Sequence, residues 1–203
     1  MGGSIRHARV CPNFPSLKSG QIYKKIQAKN GELVILRAIR WDDLPALLEC
    51  ANKLVAEREV DPDFGILLDE KQTLENEADY LANKLASIEK SEQVIVVAES
   101  GGKLIGNSEV TRGKTSDEFH HGKLGIAILR EYRDLGIGLE MVKTLVEQSR
   151  NEGLKTIELE VFANNPKAIH VYENAGFKQV GRVPKKIFRG ERFIDIIVMS
   201  IEL

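Results

Sequence analysis

From residue 33 onward, apolar positions alternate between short runs and helical stripes. Leu33-Val-Ile-Leu36 reads as a strand. Leu44, Leu47, Leu48, Ala51, Leu54 and Val55 then fall on one face of a helix, with Asp42 or Asp43 as its cap and Pro45 in its first turn. Asp61-Pro-Asp-Phe-Gly65 breaks that pattern, and Leu74, Ala78, Leu81, Leu85 and Ile88 predict a second helix over residues 71–90. Strands follow over 93–98 and 103–111, joined at Ser100-Gly-Gly102, and another over 123–129. Residues 136–152 read as a helix with Leu139, Val142, Leu145 and Val146 inward, 155–162 as a strand, and 166–175 as a short helix closed by Gly176. Two more strands, 178–188 and 193–201, meet at Arg189-Gly-Glu191. Ahead of all this, residues 1–30 show no clean period. Pro12, Pro15 and Gly20 punctuate them, and residues 21–28 read as a short helix, so we take 1–30 as an extension and 31–203 as the domain.

The element order is β-α-α-β-β-β-α-β-α-β-β. Hairpins flank one β-α-β unit, so the expected fold is α/β (α+β), with a mixed, mostly antiparallel sheet of roughly six to seven strands covered by about four helices.

Composition narrows the function classes. The 203 residues are 42% hydrophobic and 29% charged, enough for one substantial core and unlike a disordered or fibrous chain. Lys+Arg total 29 against 30 Asp+Glu, without the basic excess typical of proteins that bind long nucleic acid. The longest apolar run, Val94-Ile-Val-Val-Ala98, has strand length and cannot span a bilayer. The N-terminus lacks the apolar stretch of a secretory signal. Cys11 and Cys50 form no disulfide framework and lack metal-ligand spacing, and Cys50 reads as a packed free thiol. Adjacent His120 and His121 point opposite ways on an extended chain, so no metal site is expected. These features predict a cytoplasmic protein with neither nucleic-acid nor membrane partners.

The candidate chemistry lies at Lys123-Leu-Gly-Ile-Ala-Ile-Leu-Arg-Glu-Tyr-Arg133-Asp-Leu-Gly136-Ile-Gly138. A strand leads through a basic turn and two glycines into a helix. The first N–H groups of a helix have no intrahelical partner and sit at the positive end of its dipole. Glycines there let an anion approach the backbone, and Arg130 and Arg133 add charge. The pattern is neither GxxxxGK[ST] nor GxGxxG, because no Lys-Ser or Lys-Thr follows and position 141 is Met.

Arg133-x-x-Gly136-x-Gly138 resembles the acyl-CoA pyrophosphate loop of the GNAT N-acetyltransferases. Asn165-x-x-Ala168-x-x-x-Tyr172-x-x-x-Gly176-Phe177, behind the strand Leu159-Glu-Val-Phe162, resembles that family's second motif. The resemblance runs from about residue 32 to 203, with local similarity to acetyltransferases of protein N-termini of the ribosomal-protein-alanine type. It implies the acyl-CoA N-acyltransferase fold, acetyl-CoA as cosubstrate, no metal, and a small-molecule or peptide amine as acceptor. Many members dimerise, so it also allows a homodimer.

Residue by residue, the resemblance implies that the main chain of Ile126, Ala127 and Ile128 meets pantetheine and the thioester carbonyl, where a backbone donor steadies a developing oxyanion. It implies that Arg133, Asp134, Leu135, Gly136, Ile137 and Gly138 wrap the pyrophosphate and that Asn165 contacts pantetheine. An Asn before Pro166 is equally explained as a helix cap. Tyr172 lies two turns along the same face and is the implied general acid, since a phenol of pKa about 10 holds its proton at neutral pH. Glu160 matches the base of the N-terminal acetyltransferases; Glu158 and Glu109 are alternatives, and each reads equally as a solvated strand-face carboxylate. Acceptor choice would rest on the acidic connection after the first helix, with Asp61, Asp63, Asp69 and Glu70, and on the basic last hairpin, residues 184–192. The rival reading is an acyl-CoA-binding sensor or scaffold without turnover.

Overall fold

A computed structural model describes residues 19–203; the readings on Cys11, Pro12 and Pro15 fall outside them. Eight strands form one sheet in the order β1-β2-β3-β4-β5-β6-β8-β7. They are β1 (Ile22–Gln27), β2 (Leu33–Arg37), β3 (Gln93–Ser100), β4 (Lys103–Arg112), β5 (His121–Ile128), β6 (Thr156–Phe162), β7 (Lys178–Arg189) and β8 (Arg192–Glu202). Four helices cover it: α1 (Leu44–Val60), α2 (Leu74–Glu89), α3 (Ile137–Asn151) and α4 (Pro166–Asn174). The mixed, helix-covered sheet expected from the element order is present, with one or two more strands than expected.

The extra strand corrects the reading of residues 21–28. Ile22, Tyr23 and Ile26 have helical spacing, yet the segment is β1, antiparallel to β2. β2 needs a partner on its outer edge, and pairing there satisfies backbone groups that a short solvated helix would leave to water. The sheet therefore begins before residue 31.

The helices divide between the faces. α3 and α4 cover one, where Ile137, Met141, Val142 and Leu145 are fully buried against Val96, Ile157, Leu159 and Met199. Each such side chain contributes on the order of 1.5–3 kcal/mol through burial. α1 and α2 cover the β2–β4 half of the other face, packing Leu47, Leu81 and Ile88 on Ile95, Val97 and Leu104. Asp43 does not cap α1 with its side chain. It is buried and receives Arg37 Nη1 at 2.8 Å and Nη2 at 2.6 Å, so the start of α1 is tied to the end of β2 by an ion pair.

One feature of the register positions the site. β5 and β6 are parallel neighbours, but their ladder runs only from His121↔Thr156 to Leu124↔Leu159. β5 stays paired with β4 as far as Ile128, and β6 with β8 as far as Phe162. Each strand follows its antiparallel partner, so their C-terminal halves part and leave two facing open edges.

Candidate active site

The glycine-bearing bend sits at the mouth of this opening. Asp134 and Gly136 take positive φ, 60° and 84°, and α3 starts at Ile137. No side chain caps the helix, so its first N–H groups are left to the outside. Gly138 faces the opening closely: a Cβ there would stand 3.2 Å from Ile128 Cδ1. Two lysines border the bend. Lys29, in the β1–β2 turn, donates its N–H to Leu135 O at 3.1 Å, and its Cε lies 4.0 Å from where a Cβ on Gly136 would be. Lys167 pairs with Asp134 at 2.7 Å.

Arg133 belongs to the bend, but its side chain turns inward. Nε and Nη2 donate to Ile128 O at 2.8 and 2.7 Å, while Nη1 and Nη2 reach the two oxygens of Glu57 at 2.5 and 2.7 Å. The guanidinium also stacks 4.2 Å over the Phe64 ring. Its charge is thus matched by a helix α1 carboxylate and is not turned to an outside phosphate. Of the two arginines expected to add charge beside the turn, Arg133 is paired from within while Arg130 is exposed, so the bend offers an anion its backbone N–H groups, Lys29 and Arg130.

Across the opening, Asn165 Oδ1 accepts the Ala168 N–H at 3.1 Å and caps α4. The cap leaves its Nδ2 unused, so the two readings of this residue are compatible. Two turns on, Tyr172 is buried against Phe177, ring centroids 6.1 Å apart. Its hydroxyl has no hydrogen-bond partner among the described residues, and burial pushes its pKa up to about 12. Tyr172 is therefore a neutral phenol with an uncommitted proton.

Glu160 lies on the α1/α2 face of the sheet, beyond the reach of those helices. Its carboxylate takes Lys123 Nζ at 2.8 Å and Lys186 Nζ at 2.5 Å. Partial burial would raise its pKa, but the two lysines outweigh this and hold it below the usual value. An ionised carboxylate already satisfied by two lysines strips a proton from an amine poorly. Glu109, on β4, pairs with Lys84 of α2 at 2.6 Å. The three carboxylates weighed from sequence, Glu109, Glu158 and Glu160, thus come from β4 and β6, the two strands that flank β5, around the end of the β5–β6 ladder.

The two charged segments that flank the cleft face each other. Arg192 of the hairpin pairs with Asp63, which also accepts Asn164 Nδ2 at 2.5 Å. Arg189 donates to Phe64 O and Ile66 O at 2.5 and 2.7 Å. One carboxylate of the acidic rim, Asp63, is therefore neutralised from within. Cys50 is buried and its thiol is pushed up to about 11 by burial, which suits a packed thiol and not an acyl carrier. His121 bonds Thr156 Oγ1 at 2.9 Å, and among the described residues no cluster of His, Cys, Asp and Glu is placed to hold a metal. Nor is any helix among them long and apolar enough to cross a membrane. Glu57, Lys29, Lys123 and Lys186 escape a reading of the sequence, because nothing local to them marks their distant partners.

Comparison with known proteins agrees with this geometry. The L-methionine sulfoximine/L-methionine sulfone acetyltransferase of Pseudomonas aeruginosa is 20% identical over 111 residues, which is 54% of this chain and 64% of that one. The N-alpha-acetyltransferase RimI of Mycobacterium tuberculosis is 30% identical over 86 residues, 42% of this chain and 52% of its own. The chain thus spans less than two thirds of the curated relatives it matches. A solved acetyltransferase of the GNAT family from Streptococcus pneumoniae superposes with a TM-score of 0.74 at 24% identity, covering 84% of this chain and 99% of the other. The profile of the Acetyltransferase (GNAT) family matches residues 55–177, more than half of the sequence, and the chain belongs to that family.

Proposed function

We propose that the protein transfers acetyl from acetyl-CoA to a primary amine by direct attack in a ternary complex. The observation that carries this reading is the parted end of β5 and β6, with an uncapped helix start at its mouth and a proton-bearing Tyr172 at its wall. These parts fit the cosubstrate. Backbone N–H groups at Gly136, Ile137 and Gly138 suit a pyrophosphate, with Asp134, Leu135 and the Arg133 backbone shaping the loop. The open edge at Ile126, Ala127 and Ile128 suits the pantetheine amides and the thioester carbonyl, and Asn165 Nδ2 stands ready on the opposite side.

When bound, acetyl-CoA supplies an activated acetyl group. The amine forms a C–N bond to the carbonyl carbon as the C–S bond breaks. Main-chain donors of β5 steady the oxyanion that develops. Tyr172 gives its proton to the departing sulfur and recovers one from solvent. Glu160 faces the incoming amine, and the amine proton leaves through water, because the lysine pairs weaken this carboxylate as a base. Among the relatives, names referring to amino-acid and to N-alpha acetylation support an amine acceptor of either kind.

The test is release of CoA thiol from acetyl-CoA with a free amino acid, spermidine, or a peptide with a free N-terminus. Release should require the amine. Thiol release that proceeds through a covalent Cys50 adduct, or no release with any amine, would reject the reading.

A further inference from the structure

Not every glycine of β5 is there for the same reason. Gly122 is demanded by packing, since a Cβ would come within 2.4 Å of Val110 Cγ1 and 2.5 Å of Leu154 Cδ2. At Gly125 a Cβ would meet nothing within 4 Å, and the backbone is not in the left-handed region. Neither crowding nor conformation requires glycine here. A glycine inside a strand costs stability and often marks a close approach by a ligand.

Its neighbours say what approaches. Gly125 is directly opposite Glu109 in the β4–β5 ladder. On the other side, the β5–β6 ladder ends at Leu124↔Leu159, so the next step places Gly125 beside Glu160 where the strands part. Lys123, two residues before Gly125 and so on its face, touches Glu160, which puts both carboxylates on that face. At least two strand spacings, about 10 Å, separate the Glu109 and Glu160 backbones, since β5 and β6 part at this level. A side chain on residue 125 would project into the space between them, which holds no atom within 4 Å of its Cβ position.

We propose that Gly125 is the acceptor gate: the amine reaches the acetyl group over its bare Cα, carried on a slim carbon that passes between the Glu109–Lys84 pair and Glu160 with its partners Lys123 and Lys186. This rests on the acetyltransfer reading. It adds that residue 125 sets which amines enter and leaves acetyl-CoA binding alone.

Gly125→Val is the decisive variant, because valine suits a strand and the space for it is free. Free methionine, spermidine and an alanine-initiated tripeptide would be assayed by thiol release, using whichever serves the wild type best. Gly125→Val should keep the thermal shift given by acetyl-CoA, have an unchanged or raised Tm, and lose transfer by about 100-fold. Gly125→Ala should lose less, and lose most with the bulkiest amine that is accepted. Transfer by Gly125→Val within about threefold of wild type, at equal acetyl-CoA binding, overturns the gate while the acetyltransfer reading stands. So does a loss of acetyl-CoA binding in a folded Gly125→Ala protein. A wild type that transfers to none of the three amines overturns the parent reading and the gate together.

Discussion

Arg133 and Glu57 stand 76 positions apart in the chain and meet in a two-pronged ion pair, Nη1 to Oε1 at 2.5 Å and Nη2 to Oε2 at 2.7 Å. Because Arg133 also holds Ile128 O, this pair ties α1 to the end of β5 and to the bend before α3. Glu57 is nearly buried while Arg133 is 30% exposed. Arg133→Ala should therefore cost about 2 kcal/mol in urea unfolding, less than a fully buried pair would. The double variant with Glu57→Ala should be non-additive by about 1 kcal/mol or more. Additive losses would show that the pair is incidental.

Gly136 has φ 84°, a conformation that a Cβ strains. Gly136→Ala should lose about 1 kcal/mol of stability and bind CoA roughly tenfold more weakly, by displacing the helix-start amides. Gly153→Ala, with φ 81° beyond the C-terminus of the same helix, should lose similar stability with CoA affinity intact. Calorimetric titration of both variants with CoA separates strain from contact.

Removing the Tyr172 hydroxyl breaks no hydrogen bond, so Tyr172→Phe should change stability by less than about 0.5 kcal/mol. Its kcat should fall about 100-fold with acetyl-CoA binding retained. Unchanged turnover would favour the sensor reading. The pH sign follows from burial. A phenol raised from 10 to about 12 binds its proton more tightly folded than unfolded. Its contribution is complete below pH 10 and fades as pH rises toward 12, a loss that Tyr172→Phe should abolish.

Glu160 titrates in the opposite sense. Its two lysine partners hold its folded pKa below the ordinary carboxylate value, so its ion pairs help folding above that ordinary value and lose their effect as pH falls through the folded one. The stability gap between wild type and Glu160→Gln should be small, because the group is partly exposed, and should close on acidification. At neutral pH the variant should raise KM for the amine more than it lowers kcat, if Glu160 and its lysine partners position the amine. A lost kcat at constant KM would instead assign it as the base.

The local signals account for much of this molecule. The stripes of α1, α2 and α3, the Asn165 cap before Pro166, the glycine bend and the phenol two turns along α4 are each set by residues a few positions apart, so periodicity, capping and backbone freedom reveal them directly. Packing alone decided the rest. Residues 22–27 became a strand because β2 offered an edge. Arg133 turned inward because α1 brought Glu57 to it, and Glu160 met two lysines that arrive from β5 and β7. Gly125 lies between Glu109 and Glu160 only through the order of β4, β5 and β6. Partners this far apart in the chain leave no spacing to read, since their meeting depends on strand order and register, which the whole core selects.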